Sequence, residues 1–451
     1  MSEIAVLGAG LCGLVAARDL RRQGHEVLVL EAGSEVGGVI GAETRDGYLL
    51  EKGPNTLALR ADTAALALMG ESGLLESAVD ANPDADKRFV VRGGKLIQVP
   101  SSPPALLGSG LLSVWGKLRL LWEPLVGRGE NPDETVAAFV RRRLGQEALD
   151  YMVDPFVSGV YAAKPESMVL RHAFPLLAKL EKEHRSLILG GRRLAKRRKK
   201  EGKPKTRLIS FAEGLGALPH RLAEDLEGCI KTDAPVQKVK RDESGWTVEW
   251  TENEDTKAKA FDAALCALPA HKLQSIEWEN LESEEDLDLM AEAPHYPMVT
   301  CYHGFRREDV GHALDGFGFL VPRKENLRIL GTLFSSNLFA GRAPEDHVLL
   351  TTFVGGERQP ELTEGDDDTL HRLVVDDLRP LLGLQAEPSF RHLRRWLQAI
   401  PIPDGGQDGR LTAATRLGER NPGLRFTGSH LTGVSLPACI EGALKESAAH
   451  G

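Results

Sequence analysis

The stretch "IAVLGAGLCGLVAARDLRRQGHEVLVLEA", Ile4 to Ala32, decides the architecture. Ile4 to Leu7 is a short apolar run, as expected of a parallel strand covered on both faces. Gly8, Gly10 and Gly13 follow in Gly-x-Gly-x-x-Gly spacing, with Ala9, Leu11 and Cys12 between them. Leu14, Val15, Ala17 and Leu20 then fall at helical spacing as far as Gly24, which suits a helix C-terminus. Glu26 to Leu30 is a second apolar strand, followed by Glu31 and Ala32. In such a strand–turn–helix–strand unit the first glycine permits the tight turn. The second lets backbone approach a pyrophosphate, and the third lets helix and strand pack closely. Glu31 lies about 20 residues further on, where an acid accepts from a ribose hydroxyl and would repel a 2′-phosphate. The unit predicts a dinucleotide but leaves NAD and FAD both open.

A length of 451 residues predicts two or three domains with ample core. Hydrophobic residues at 42% and charged residues at 27% are ordinary for a globular chain. The formal charge of −9 argues against a general nucleic-acid binder. Apolar runs are interrupted by charges before about 18 residues, so no membrane-spanning helix is expected. Met1-Ser-Glu leads straight into a strand, which leaves no room for a signal peptide. Five scattered cysteines form no CxxC pair, and the histidines show no ligand spacing, so the expectation is a cytosolic protein with no metal site.

Beyond Glu31, Gly37-Gly38 precedes an alternating stretch that ends in Gly53-Pro54-Asn55-Thr56. Directly after a ribose acid, that element suits an extended FAD better than NAD. Ala105 to Val126 is apolar with Lys117 and Arg119 among Leu and Trp. Residues 131–156 read as two helices, the first starting near Asn131 or Asp133 and stopping at Leu144-Gly145. The basic run 191–205 reads as a mobile linker. Residues 207–226 predict a strand, a glycine turn and an amphipathic helix, and 234–270 predict a hairpin and a buried strand. Residues 297–355 predict an antiparallel sheet. The chain closes with a strand, a turn at Gly433-Val434-Ser435, and a helix starting near Pro437, whose N-terminus is a second anion or flavin site.

The stretches "DGYLLEKGPNT", "RFVVRGGKLIQVPSSPPALL", "VRRRLGQEALDYMVDPFVSGVYA", "GFGFLVP", "LGTLFSS", "LLTTFVGG" and "GSHLTGVSLPACIEGA" together resemble the oxygen-dependent protoporphyrinogen oxidases of the amine-oxidase superfamily. The resemblance covers the whole length. It implies an α/β multidomain fold: a Rossmann-like FAD domain from 1–82, 206–270 and 397–451, an antiparallel-sheet substrate domain from 83–99 and 271–396, and a helical membrane-associating insert, 100–205. It also implies six-electron oxidation of a porphyrinogen in three flavin cycles, each reducing one O2 to H2O2.

Carried over by motif, Gly8, Gly10, Gly13 and Glu31 hold the ADP half of FAD, and Ala9, Leu11, Cys12, Ala32, Gly38 and Val39 also belong to the cofactor site. Gly53, Pro54, Asn55 and Thr56 run beneath the isoalloxazine, and Val236 meets the adenine. Gly428, Val434, Ser435 and Leu436 hold the pyrimidine side, with Trp396 near the flavin. Arg88 pairs a propionate, while Gly159, Leu320, Leu333 and Phe353 line the macrocycle site. A large apolar tetrapyrrole with carboxylates at its rim requires such a lining with a cationic anchor. No side-chain base is evident. Further implied are peripheral contact with the inner face of the cell membrane, a homodimer, and product handover to a ferrochelatase.

The sequence departs from the family pattern at Val39, at Ala163-Lys164, at Ser429-His430 and across 402–406. The rival readings are a coproporphyrinogen III oxidase, an amine oxidase or desaturase on the same scaffold, and a flavin-binding partner without turnover.

Overall fold

The computed structural model describes every residue except 62, 101, 203–205, 244 and 450–451. Five strands form one all-parallel sheet in the spatial order Ile230–Lys231, Glu26–Leu30, Glu3–Leu7, Ala263–Cys266 and Leu424–Phe426. Ala5, Val6 and Leu7 have no exposed surface because both faces of the sheet are covered. On one face lie the helices Leu11–Arg22, Ala64–Glu71, Ala217–Glu224 and Leu436–Ala448, in a core that includes Leu14, Met69, Leu218 and Ile440. On the other lie a small sheet (Val236–Asp242, Gly245–Glu252, Asp255–Phe261, Glu277–Glu279) and the helix Gln407–Arg420, packed through Trp246, Trp250 and Leu417. The sheet thus draws its strands from three distant parts of the chain.

Helix Leu11–Arg22 ends where the periodicity predicts: Gln23 caps it and Gly24 turns away at a φ of 91°. The last helix starts one residue before Pro437, with Ser435 Oγ accepting from Ala438 N at 3.3 Å.

The second large sheet has seven strands in the order Phe390–Trp396, Met298–Arg306, His347–Gly355, Ile329–Phe334, Gly316–Leu320, Lys87–Arg92 and Lys95–Gln98. It is antiparallel except where Gly316–Leu320 runs parallel to Lys87–Arg92. The strands of 297–355 pair antiparallel, as expected; the one parallel pairing comes from the hairpin Lys87–Gln98, a remote part of the chain that extends the edge. One face of this sheet packs through Val299, Phe319, Phe334 and Val354 onto Leu370, Val374 and Leu378 of the helix Asp367–Leu382.

Between Pro103 and Lys200 the chain is helical. Residues 131–156 form the two helices expected: Val136–Arg143, and after the break a second that runs without interruption through Gln146–Ala148, a π-helical turn Leu149–Val153 and Asp154–Tyr161. Thr135 caps the first of these, its Oγ1 accepting from Ala138 N at 3.2 Å, whereas Asn131 caps only its own turn. The stop at Leu144-Gly145 is as predicted. The basic run is a helix, Leu187–Lys200, over residues 191–200; residues 203–205 lie outside the described residues. Arg and Lys are good helix formers, Ser186 caps the start (Leu189 N to Oγ, 3.1 Å), and four cations sit favourably in the last turn. Among the described residues no helix is long and apolar enough to cross a membrane.

Candidate functional site

The glycine loop lies at the carboxyl end of the central strand. Gly8 N donates to Leu30 O at 2.8 Å, and Gly37 N donates to Ala9 O at 2.8 Å. Gly10 bridges to Gly37, and a Cβ on Gly38 would stand 3.4 Å from Gly10 Cα, so the second glycine pair seals one side of the loop. A Cβ on Gly13 would lie 1.9 Å from Gly8 O, which requires glycine for helix and strand to pack. A Cβ on Gly10 would meet no protein atom within 4 Å. That open space in front of a helix N-terminus is the cradle a pyrophosphate needs. Glu31 is held at the rim: Oε2 accepts from Ala9 N at 2.7 Å and Oε1 from Gly33 N at 2.9 Å. Each oxygen keeps a further lone pair for a ribose hydroxyl.

The remaining segments assigned to the cofactor converge on this loop. The helix Leu436–Ala448 packs beside Leu11–Arg22, with Cys12 Sγ 3.8 Å from Cys439 O, so two helix N-termini stand side by side. Cys12 and Cys439 are both buried and unoxidised, in keeping with a packing role. Ala234 N donates to Glu31 O at 2.8 Å and Asp233 N to Gly33 O at 3.0 Å, which brings Val236 up to the ribose acid. Gly53 meets the second glycine pair: its Cβ would lie 2.3 Å from Val39 O. Asn55 donates to Gly53 O at 3.1 Å and, with Glu51, Ser335, Arg342 and Thr351, lines a cavity of about 10 Å³. Burial pushes the Glu51 carboxyl up to about 7, although Arg342, Leu215 N and Ser210 Oγ all bond it.

The strand register settles which side chains share a face. Arg394, Thr300, Phe353, Gly331, Leu320 and Val90 form one row across six strands. Two residues along each strand bring Trp396 and Met298 on one side, and Leu333 and Arg88 on the other, to that same face. The five sheet residues named from sequence (Arg88, Leu320, Leu333, Phe353 and Trp396) thus share one face, with Trp396 and Arg88 at its opposite ends. Leu320, Leu333 and Phe353 stay half-buried while their neighbours Phe319, Phe334 and Val354 are fully enclosed. Gly159, on the helix Asp154–Tyr161, faces this row from above: its Cβ would lie 2.3 Å from Leu320 Cδ2. Arg88 is exposed, and its guanidinium carbon lies 5.2 Å over the Phe317 ring.

Three contributors were missed in the sequence. Gly331 stands between Phe353 and Leu320, and its lack of a side chain makes room for Leu320, whose Cδ2 would lie 3.1 Å from a Cβ there. Phe317 joins Leu333 at Arg88 because the strand is bulged between Gly316 and Gly318. The Gly-Phe-Gly spacing was the available signal, since glycines inside a strand mark bulges. Arg394 places a second cation on the row, its Nη2 3.4 Å from Glu43 Oε1 and its Nε without a partner among the described residues. The departure at His430 is buried beside Gly428. Enclosure, with His295, Arg410 and His271 nearby, pulls its pKa down to about 3, so the ring is neutral.

Cradle, paired helix termini and ribose acid define a flavoprotein that holds an extended dinucleotide. Residues 11–449 match the model of the flavin containing amine oxidoreductases, and the chain belongs to that family. FAD is its cofactor, and the open space at Gly10 with Glu31 at its rim fits the ADP half. The chain is similar to the mitochondrial protoporphyrinogen oxidase of Nicotiana tabacum, 33% identical, over 96% of this chain and 92% of the relative. It is 26% identical to the coproporphyrinogen III oxidase of Staphylococcus aureus, over 97% and 96%. An Exiguobacterium crystal structure, described provisionally as a protoporphyrinogen oxidase, shares the fold at a TM-score of 0.82 and 23% identity, over 99% and 98%.

Proposed function

We propose that this enzyme oxidises protoporphyrinogen IX to protoporphyrin IX, three O2 being reduced to three H2O2 for the six hydrogens removed. The observation that carries the reading is the row Phe353–Gly331–Leu320, apolar and partly open at Phe353 and Leu320, closed above by Gly159 and flanked by an exposed arginine, Arg88. When bound, FAD supplies the two-electron acceptor. Leu320, Leu333 and Phe353 clamp the macrocycle and exclude water, and Arg88, stacked on Phe317, takes a rim carboxylate. Phe353, Gly331, Leu320 and Val90 offer no acid and no imidazole, and their part is to orient the substrate.

Arg394 favours a second reading, coproporphyrinogen III oxidation, because a substrate with four carboxylates gains from a second cation on the same face. Oxygen-linked porphyrin fluorescence with each substrate decides between them. Protoporphyrinogen is expected to have the higher kcat/KM, and activity on neither would overturn the enzymatic reading. In the Arg88→Ala variant, KM should rise about tenfold with FAD retained, as for loss of uniform binding; an unchanged KM removes Arg88 from that role.

We also propose peripheral contact with an anionic membrane. On the helix Val114–Leu121 and the turn after it, Trp115 (80% exposed), Leu118, Leu121, Trp122 and Leu125 all face outward. The basic helix Leu187–Lys200 supplies cations for lipid headgroups.

A further inference from the structure

The loop after the strand His347–Gly355 has no part in the cofactor cradle or the apolar row, yet it holds the helix above that row at both ends. Gly355 and Gly356 turn the chain with φ of 95° and 64°, and Glu357 and Arg358 then meet the helix Asp154–Tyr161. Arg358, with 6% of its side chain exposed, donates from Nη1 and Nη2 to Val321 O at 3.0 Å each. Its Nη2 also reaches Ser158 Oγ at 2.8 Å and Asp154 Oδ2 at 3.4 Å. Asp154, equally buried, is further held by Arg323 N at 2.8 Å. At the other end of the helix, Glu357 N donates to Ala162 O at 2.7 Å. The Glu357 carboxylate accepts from Lys164 N at 2.7 Å and from the Ser167 hydroxyl. Contact is so close that a Cβ on Gly356 would lie 2.5 Å from Ala162 O. Gly159, which touches Leu320, sits between the two clamps.

A buried ion pair contributes little net stability over apolar packing, whereas its directional bonds admit one geometry. Apolar contact alone between this helix and Leu320 would tolerate sliding; these bonds do not. We propose that Arg358 and Glu357 are positioning residues: they fix the distance of the helix from the sheet, and so how tightly Gly159 closes on Leu320 at the edge of the apolar row. That closure decides which tetrapyrroles the row admits. That consequence rests on the porphyrinogen reading above; the fixed distance itself does not.

The test uses the full-length FAD-loaded enzyme with Arg358→Met, Arg358→Lys and Glu357→Ala. In a Leu320→Cys background, thiol labelling at position 320 should be several-fold faster with Arg358→Met than without it. In the otherwise unchanged enzyme, Arg358→Met should raise KM about tenfold with kcat within about twofold, the signature of lost positioning in binding. It should also narrow the kcat/KM ratio between protoporphyrinogen and coproporphyrinogen, and Arg358→Lys should restore part of both effects. Unchanged labelling and unchanged KM in a folded, FAD-loaded variant would overturn the proposal. If Arg358→Met does not fold, Glu357→Ala leaves the ion pair intact and must shift labelling and KM in the same direction; no shift there also overturns it. If the parent enzyme turns over neither porphyrinogen, the functional reading fails, and labelling alone still decides whether the latch sets that closure.

Discussion

Two alanine substitutions in the glycine loop should separate the protein's needs from the cofactor's. At Gly10 a Cβ meets no protein atom within 4 Å, and the backbone φ of −71° suits any residue. Gly10→Ala should therefore cost the apoprotein only about 0.5–1 kcal/mol, for a poorer helix N-cap. The methyl group would occupy the space where a pyrophosphate approaches the helix. Losing one or two charge-assisted hydrogen bonds, at about 1.5–3 kcal/mol each, should weaken FAD about a hundredfold. At Gly13 the Cβ would lie 1.9 Å from Gly8 O, a backbone atom that cannot rotate away. Helix and strand would have to separate by more than an ångström, costing about 3 kcal/mol or more in the apoprotein itself. Apoprotein thermal unfolding and FAD titration by quenching of flavin fluorescence distinguish the two. The expected result is a near-parental Tm with a raised Kd for Gly10→Ala, and a lowered Tm for Gly13→Ala. Parental FAD affinity in Gly10→Ala, or equal Tm losses in both, would refute the assignment of that space to the cofactor.

Gly159→Ala should keep the fold and the FAD, because its methyl displaces only the end of the Leu320 side chain, and should raise KM for the porphyrinogen; an unchanged KM separates Gly159 from the substrate slot. Glu51 predicts a pH effect: its carboxyl titrates near 4.5 when unfolded and about 7 when folded, so the folded state binds the extra proton between those values and loses stability as pH rises through them. The Tm of Glu51→Gln relative to the parent should therefore improve from pH 4.5 to 7 and stay level above, and a constant difference would contradict the burial argument. Replacing Trp115 and Trp122 by Ser should abolish co-sedimentation with anionic liposomes at low salt while leaving FAD bound; retained sedimentation would place membrane contact elsewhere.

The nucleotide unit could be read from residues 4–32 because its signals are local: strand, turn, helix and acid are contiguous, Gly13 is required by Gly8 O, and Glu31 bonds back to Ala9 N. The basic helix Leu187–Lys200 was misread for the opposite reason. A charged run states where its side chains must be, in water, and leaves the backbone to propensity and capping, here supplied by Ser186. Gly331 and Phe317 escaped notice because a strand's face depends on register, and a single bulge at Gly316–Gly318 inverts it.

By itself the sequence determined the cofactor-binding loop, the strand and helix identities on either side of it, and the apolar character of the residues now found in the slot. Only the tertiary structure decided that Arg88, Leu320, Leu333, Phe353 and Trp396 share one face, since pairing across strands depends on register rather than on spacing along the chain. It also decided what closes that face. The helix Asp154–Tyr161 and the loop Gly355–Arg358 lie some two hundred residues apart, and their bonds form only once the sheet beneath them exists.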